Sequence, residues 1–193
     1  MNEGNQQSKM WELKDRFLEL RTKWLTIMGE SLQDDHGKIL EYWRVEKADS
    51  VIILPIWNHH LIVPDVSYRP GIGKLTLDFP GGRVSDDQLP ENAVGGILPE
   101  NAVGGILFRE LGITEDNIMK IVPINMEGWL INSAFSNQQL YGFVAEINPQ
   151  WQVQEEYLGG IYPINKSGID DLLNQLSCLQ CRHILIEWWL NRI

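Results

Sequence analysis

The chain has 193 residues, enough for one sizeable core or for one domain plus an appendage. Its 16 basic and 26 acidic residues give a net charge of −10, which argues against a nucleic-acid backbone or an anionic membrane as the main partner. Composition is that of a globular protein, no apolar run reaches the roughly 18–20 residues that span a membrane, and the polar start MNEGNQQSKMWELKD lacks a signal-peptide core, so a cytoplasmic protein is expected.

Residues 1–8 read as a disordered lead. From Lys9 to about Lys23, Met10, Leu13, Phe17, Leu20 and Trp24 recur at spacings of three and four, which predicts an amphipathic helix with Ser8 as its cap. Trp24–Gln33 and Lys38–Val45 flank Asp34-Asp35-His36-Gly37, whose Asp and Gly favour a turn, and together they predict a β-hairpin. Strands are predicted over Ser50–Trp57, Leu61–Val66 and Lys74–Phe79, with Asn58-His59-His60 as a hairpin tip. Adjacent residues in an extended chain point to opposite faces, so His59 and His60 do not read as a shared metal site.

Further on, Ile118–Pro123, Gln139–Ile147 and Gly159–Pro163 read as strands, with the polar loop GWLINSAFSNQ between the first two. A helix is predicted from about Ile169 to the C-terminus, begun at Asn165 or Ser167. Cys178 and Cys181 have C-x-x-C spacing, with His183 just beyond. A structural zinc site takes four ligands and no second cysteine pair exists, while a redox pair sits at a helix start. This pair falls inside the predicted helix, so its expected place is on or under that helix. Strands in the middle and helices late make a mixed α+β pattern.

The organising stretch is Leu77–Ile113. A strand-like run ends in Pro80-Gly81-Gly82; a loop and a helix follow, and Gly112 stops the helix. Inside it the nine residues Leu89–Ile97 recur, letter for letter, as Leu98–Ile106. Nine residues advance a helix by about 900°, which would turn Glu110 away from the glycine turn. Each copy opens Leu-Pro-Glu-Asn, and proline suits only the first turn of a helix. Pro99 is therefore expected to restart the helix, leaving the first copy in the loop. Two copies are too few for a repeat architecture.

Tyr68-Arg69-Pro70-Gly71 followed by Pro80-Gly81-Gly82, within the run Glu41–Val84, resembles the ADP-ribose pyrophosphatase branch of the Nudix hydrolases. The resemblance extends from about Trp24 to the C-terminus. It implies an α+β, Nudix-like mixed β-sheet sandwiched by helices, here preceded by an N-terminal helix and a β-hairpin. The chain then divides into a tail and helix, 1–23, and a domain, 24–193, whose leading hairpin 24–45 is a candidate arm for a homodimer.

The family's box reads Gly, five residues, Glu, seven residues, Arg-Glu, an aliphatic, one residue, Glu-Glu, one residue, Gly. Counted from Gly82, its first Glu position holds Gln88. Counted back from Gly112, its last Glu is Glu110, the one before it is Arg109, and the Arg-Glu pair is Gly105-Ile106. One of the box's four carboxylates is retained, so the box is degenerate. Placing Arg109-Glu110 on the Arg-Glu pair instead would lose the terminal glycine. In the late loop, where the family often carries an acidic base, Phe135-Ser136-Asn137-Gln138 offers amides.

Whether the chain is an enzyme therefore stays open. As a hydrolase of a nucleoside diphosphate linked to another moiety, it would bind Mg²⁺ or Mn²⁺ through Glu110 and the Gly81 carbonyl. Glu100, Glu155 or Glu156 would replace lost carboxylates. Arg69, Gly81, Gly82, Arg83 and Arg109 would then contact substrate. As a catalytically inactive pseudoenzyme, it would bind a nucleotide or regulate, with Arg69, Lys74, Arg83 and Arg109 on the phosphates. As an interaction module, it would reuse the fold to pair through the hairpin.

Overall fold

The computed structural model describes residues 10–84 and 99–192. Ser8, Gln88 and the first copy of the nine-residue repeat lie outside the described residues. By internal packing the chain forms two units: the stretch up to Ala48 with Leu130–Gln138, and Asp49–Trp129 with Gln139–Ile193.

The first unit is an antiparallel sheet of β1 (Glu12–Arg21), β2 (Thr26–Gln33) and β3 (Ile39–Glu46), in that order. The β2–β3 hairpin forms where predicted. The Asp34 carboxylate accepts from the amides of His36 and Lys38, and Gly37 takes φ 80°. The predicted N-terminal helix is not found; β1 is a strand. Its pairing with β2 slips between Leu13 and Asp15 and again between Arg16 and Leu18. Each bulge inserts a residue and stretches the alternation of two into spacings that imitate a helix. The chain from 130 to 138 joins this unit, as the Val45 amide donates to Phe135 O at 2.8 Å and the Tyr42 hydroxyl donates to Ala134 O.

At the centre of this sheet Glu30, only 2% exposed, accepts from Arg16 on β1 at 2.8 Å and from Arg44 on β3 at 2.6 Å. A charge removed from water to this degree is tolerable only when paired. The Arg44 guanidinium, followed by Arg16, holds the Glu30 pKa below its ordinary value against the opposing effect of burial.

The second unit contains β4 (Ser50–Trp57), β5 (His60–Pro64), β6 (Ser67–Arg69), β7 (Lys74–Thr76), β8 (Gly81–Arg83), α1 (Val103–Leu111) and β9 (Ile118–Pro123). After β10 (Trp129–Leu130) come β11 (Gln139–Ile147), β12 (Leu158–Pro163), α2 (Lys166–Gln175) and α3 (Leu179–Asn191). The central path of its mixed sheet is β11-β4-β5-β12, with β8 added to β4 and β9 to β11. β4 and β11 run parallel, and the other pairs on and beside this path are antiparallel. A separate ribbon pairs β6 with β7. Asn58 and His59 both take positive φ at the β4–β5 tip, the hairpin geometry expected there.

One face of the sheet, including Val51, Ile53, Ile62, Phe143 and Ala145, packs on Val103, Ile106, Leu107 and Leu111 of α1. Helix α2 is capped by Asn165, whose side chain accepts from the Gly168 amide at 2.9 Å. The single long C-terminal helix that the sequence predicts is two helices. Leu176 forms an isolated bridge with Leu77, and Arg182 donates to the carbonyls of Leu173 and Leu176, closing α2 before α3 begins. Cys178 is thus not inside a helix but at the entrance of α3, and Cys181 lies in the first turn of that helix. Among the described residues no helix is long and apolar enough to cross a membrane.

Glu30→Gln should destabilise the protein by about 2 kcal/mol at pH 7, measured by urea unfolding. Because the Glu30 pKa is lowered on folding, its contribution is complete above the ordinary carboxylate range and is lost as pH falls through the folded value. The stability difference between wild type and variant should therefore shrink at pH 3.

Candidate active site

The site begins with the glycine turn. β8 pairs with β4, Ser50 to Arg83 and Val51 to Gly82, and the Ile53 amide donates to Pro80 O at 2.9 Å. The turn therefore sits at a sheet edge directly beside α1. A Cβ at Gly82 would lie 3.0 Å from the Ile106 Cδ1 atom and 3.4 Å from an Arg109 nitrogen, so the lack of a side chain permits this approach.

Helix α1 is preceded by a single tight turn over Pro99–Ala102, which puts Pro99 at a helix entrance. Its buried face fixes the direction of the other. Val103, Ile106, Leu107 and Leu111 enter the core, which leaves Arg109 outward and Glu110 three-quarters buried at the rim. Gly112, at φ 67°, stops the helix, its amide donating to Phe108 O at 3.0 Å. One Arg109 Nη donates to Gly81 O at 2.9 Å and to Glu110 Oε1 at 2.7 Å. A carbonyl and a carboxylate oxygen thus converge on one positively charged atom.

The opposite side comes from the β6–β7 ribbon. Arg69 closes its turn, its carbonyl accepting from the Ile72 and Gly73 amides. Arg69 Nε and the Thr76 hydroxyl each donate to Asp78 Oδ2 at 2.7 Å. Asp78 is 7% exposed, and its other oxygen accepts from the Cys181 thiol at 3.7 Å. Partial burial works against the Arg69 charge, but the Asp78 hydrogen bond and charge, with a smaller effect of Glu110, raise its pKa overall.

Between these parts lies a cavity of about 310 Å³ lined in part by Asp65, Arg69, Asp78, Glu110, Glu156 and Tyr157. Of the residues singled out in the sequence, the structure brings Arg69, Glu110 and Glu156 onto this cavity, with Gly81 linked to Glu110 through Arg109. Glu155 opens the turn Glu155–Tyr157 and is exposed; it is not among the cavity's lining residues. Glu100 lines a different hollow of about 600 Å³ with Glu115 and Lys120. Arg83 ends β8 beside Ser50.

Asp65 and Asp78 were missed in the sequence. Asp78 had a readable signal: it stands between Leu77 and Phe79, both core residues, and an acid in such a run needs a partner.

Among the described residues, four carboxylates against one guanidinium, that of Arg69, make the cavity walls unfavourable for a bare diphosphate. The oxygens of Gly81 and Glu110 are hard donors of the kind that suit Mg²⁺ or Mn²⁺, and the guanidinium nitrogen already marks a cation position between them.

No protein-family model and no curated protein matches this sequence. Among solved structures, the crystal structure of an ADP compounds hydrolase is similar, with a TM-score of 0.69 at 17% identity over 92% of this chain and 91% of that one. At that identity the likeness shows the fold alone, and the fold is Nudix-like α+β.

Gly112→Ala should destabilise the protein by about 1–2 kcal/mol, because an L side chain is strained at that φ. The added methyl would also meet the Gln154 side chain. Thermal unfolding reads the loss, and an unchanged midpoint would contradict this role for the glycine.

Proposed function

We propose that the cavity between Arg69 and Glu110 takes a nucleoside diphosphate linked to another moiety, of the ADP-ribose or nucleotide-sugar class, and that the protein hydrolyses it with Mg²⁺ or Mn²⁺. The observation that carries this reading is the convergence of Gly81 O and Glu110 Oε1 on one cationic nitrogen at the rim of an acidic cavity. Gly81 and Glu110 would hold the ion, and Glu156 lines the same cavity. When bound, such an ion polarises a phosphoryl oxygen and acidifies water.

The chain's own groups have separate tasks. Asp78 fixes Arg69 through Nε, which orients the guanidinium for a phosphate oxygen. Glu156, which lines the cavity, is the candidate to take a proton from the attacking water at a carboxylate oxygen. Tyr157 supplies an aromatic wall. Gly82, Arg83 and Arg109 complete the phosphate side, with Arg109 giving up its bridge when the ion enters. Glu100 and Glu155 have no part in this arrangement.

A second reading rests on that same bridge. If Arg109 stays in place, its fixed charge replaces the ion, and the protein is a catalytically inactive nucleotide-binding or regulatory Nudix-fold protein. In either reading the first unit is proposed as a dimerisation arm. Phe17, Trp24, Ile39 and Trp43 are exposed there, and an apolar surface of this kind favours association. A strict monomer at all concentrations in sedimentation would remove that arm.

The functional test is hydrolysis of ADP-ribose and related nucleotide sugars with Mg²⁺ or Mn²⁺. AMP should be released only with the metal, and Glu110→Gln should lower kcat/KM about 100-fold or more, as expected for loss of an ion ligand. Arg109→Ala should raise KM, because a phosphate contact is lost, while metal-dependent AMP release persists. If no AMP forms but a nucleotide sugar raises Tm without metal, and Arg109→Ala abolishes that rise, the binding reading replaces the hydrolase.

A further inference from the structure

The cysteine pair occupies a more reactive setting than its sequence context suggests. Cys178 immediately precedes α3, a helix of 13 residues, and Cys181 lies in its first turn. Neither thiol is in a disulfide. Their sulfurs and an Asp78 oxygen all lie within 4.8 Å of one another. The two thiols differ in access: Cys178 is half-buried beside the exposed Leu179, whereas Cys181 is 3% exposed. The amide groups of a helix's first turn favour a negative charge at its entrance. An outer thiol at a helix start with an inner thiol within reach suits disulfide exchange, and the buried carboxylate on the inner thiol is placed to accept its proton.

We infer that Cys178 and Cys181 form a dithiol that exchanges with low-molecular-weight disulfides, Cys178 being the attacking thiol and Cys181 the resolving one. The chemistry balances without another reagent. The Cys178 thiolate attacks one sulfur of a disulfide RSSR, the old S–S bond breaks, and a Cys178–S–S–R bond forms. RS⁻ leaves and takes up a proton. Cys181 then attacks the Cys178 sulfur and gives its own proton to Asp78 Oδ1, which already accepts from that thiol. Asp78 passes that proton on as the second RS⁻ departs and is protonated, which restores the carboxylate. The protein loses two electrons and two protons, and RSSR becomes two RSH.

The electrostatics agree with these roles. The Cys181 thiol chiefly, then the backbone N–H groups of Cys181 and Gln180, bring the Cys178 pKa down to about 6 despite burial. Interaction with Cys178, followed by burial, pushes the Cys181 thiol up. Asp78 acts on both thiols and opposes their ionisation, and Arg69 interacts with Cys181 across the Asp78 carboxylate.

The same three residues invite a zinc reading, which the geometry disfavours. Asp78 Oδ2 already accepts from Arg69 Nε and the Thr76 hydroxyl at 2.7 Å each, which places a guanidinium charge beside the would-be ligand. Only three donors assemble there among the described residues, one fewer than a closed structural site takes.

The proposal is independent of any nucleotide hydrolysis, and its test reads thiols directly. Full-length protein is treated with oxidised glutathione and analysed by intact mass. Wild type should gain a Cys178–Cys181 disulfide with no lasting adduct, Cys181→Ser should retain one glutathione on Cys178, and Cys178→Ser should react far more slowly. Asp78→Asn should lengthen the life of the mixed disulfide, since the proton acceptor is lost. The rate of iodoacetamide labelling of Cys178 in wild type should be half-maximal near pH 6, against about 8.5 for an ordinary thiol. A labelling midpoint near that ordinary value with no trapped adduct in folded Cys181→Ser would overturn the assignment. So would stoichiometric zinc in the purified protein whose removal is needed to expose the thiols.

Discussion

The candidate site depends on one contact, the Arg109 guanidinium bridging Gly81 O and Glu110 Oε1. It exists because two independent packing constraints meet at a single point. The sheet edge carries the glycine turn against α1, and the apolar face of α1, driven into the core by Ile106, Leu107 and Leu111, aims the helix's polar rim at that turn. A side chain at Gly82 would force the two apart, and a missing stop at Gly112 would release the helix end that holds Glu110. Oxygen donors so arranged attract a cation whatever its source, and in this chain a side chain already supplies one.

A second constraint is Asp78, which joins the cavity wall to the cysteine pair. One of its oxygens accepts from Arg69 at the cavity wall and the other from Cys181 under α3. A buried carboxylate is tolerated because several donors share it, and the guanidinium contributes the opposite charge.

Much of the fold was legible in the residues. β4, β9 and β11 span the predicted ranges because long apolar runs of strand-forming residues leave little choice of structure, and the hairpin turn at Asp34–Gly37 has specific turn chemistry. The place of Pro99 at a helix entrance followed from what proline cannot do inside a helix. Strand β1 was misread because two bulges break its period. The joint between α2 and α3 was missed because no proline or glycine marks it; a bridge to Leu77 and the Arg182 side chain impose it from outside. Cys178 was misplaced with it, while Cys181 does lie buried within the last helix. Of the candidate site, Arg69, Gly81, Glu110 and Glu156 were within reach of motif reasoning. Asp65 and Asp78 gain meaning only once the β6–β7 ribbon folds beside α1, a long-range fact with no local pattern.

The central claim is that Gly81 and Glu110 define a cation position that serves a bound diphosphate. Paramagnetic broadening by Mn²⁺ in NMR spectra of the full-length protein, recorded with and without ADP-ribose, tests it most directly. The account predicts that broadening centres on the signals of Gly81, Gly82, Glu110 and Glu156, strengthens when ADP-ribose is present, and is lost in Glu110→Gln. Broadening centred elsewhere, or equal with and without the nucleotide, would contradict it.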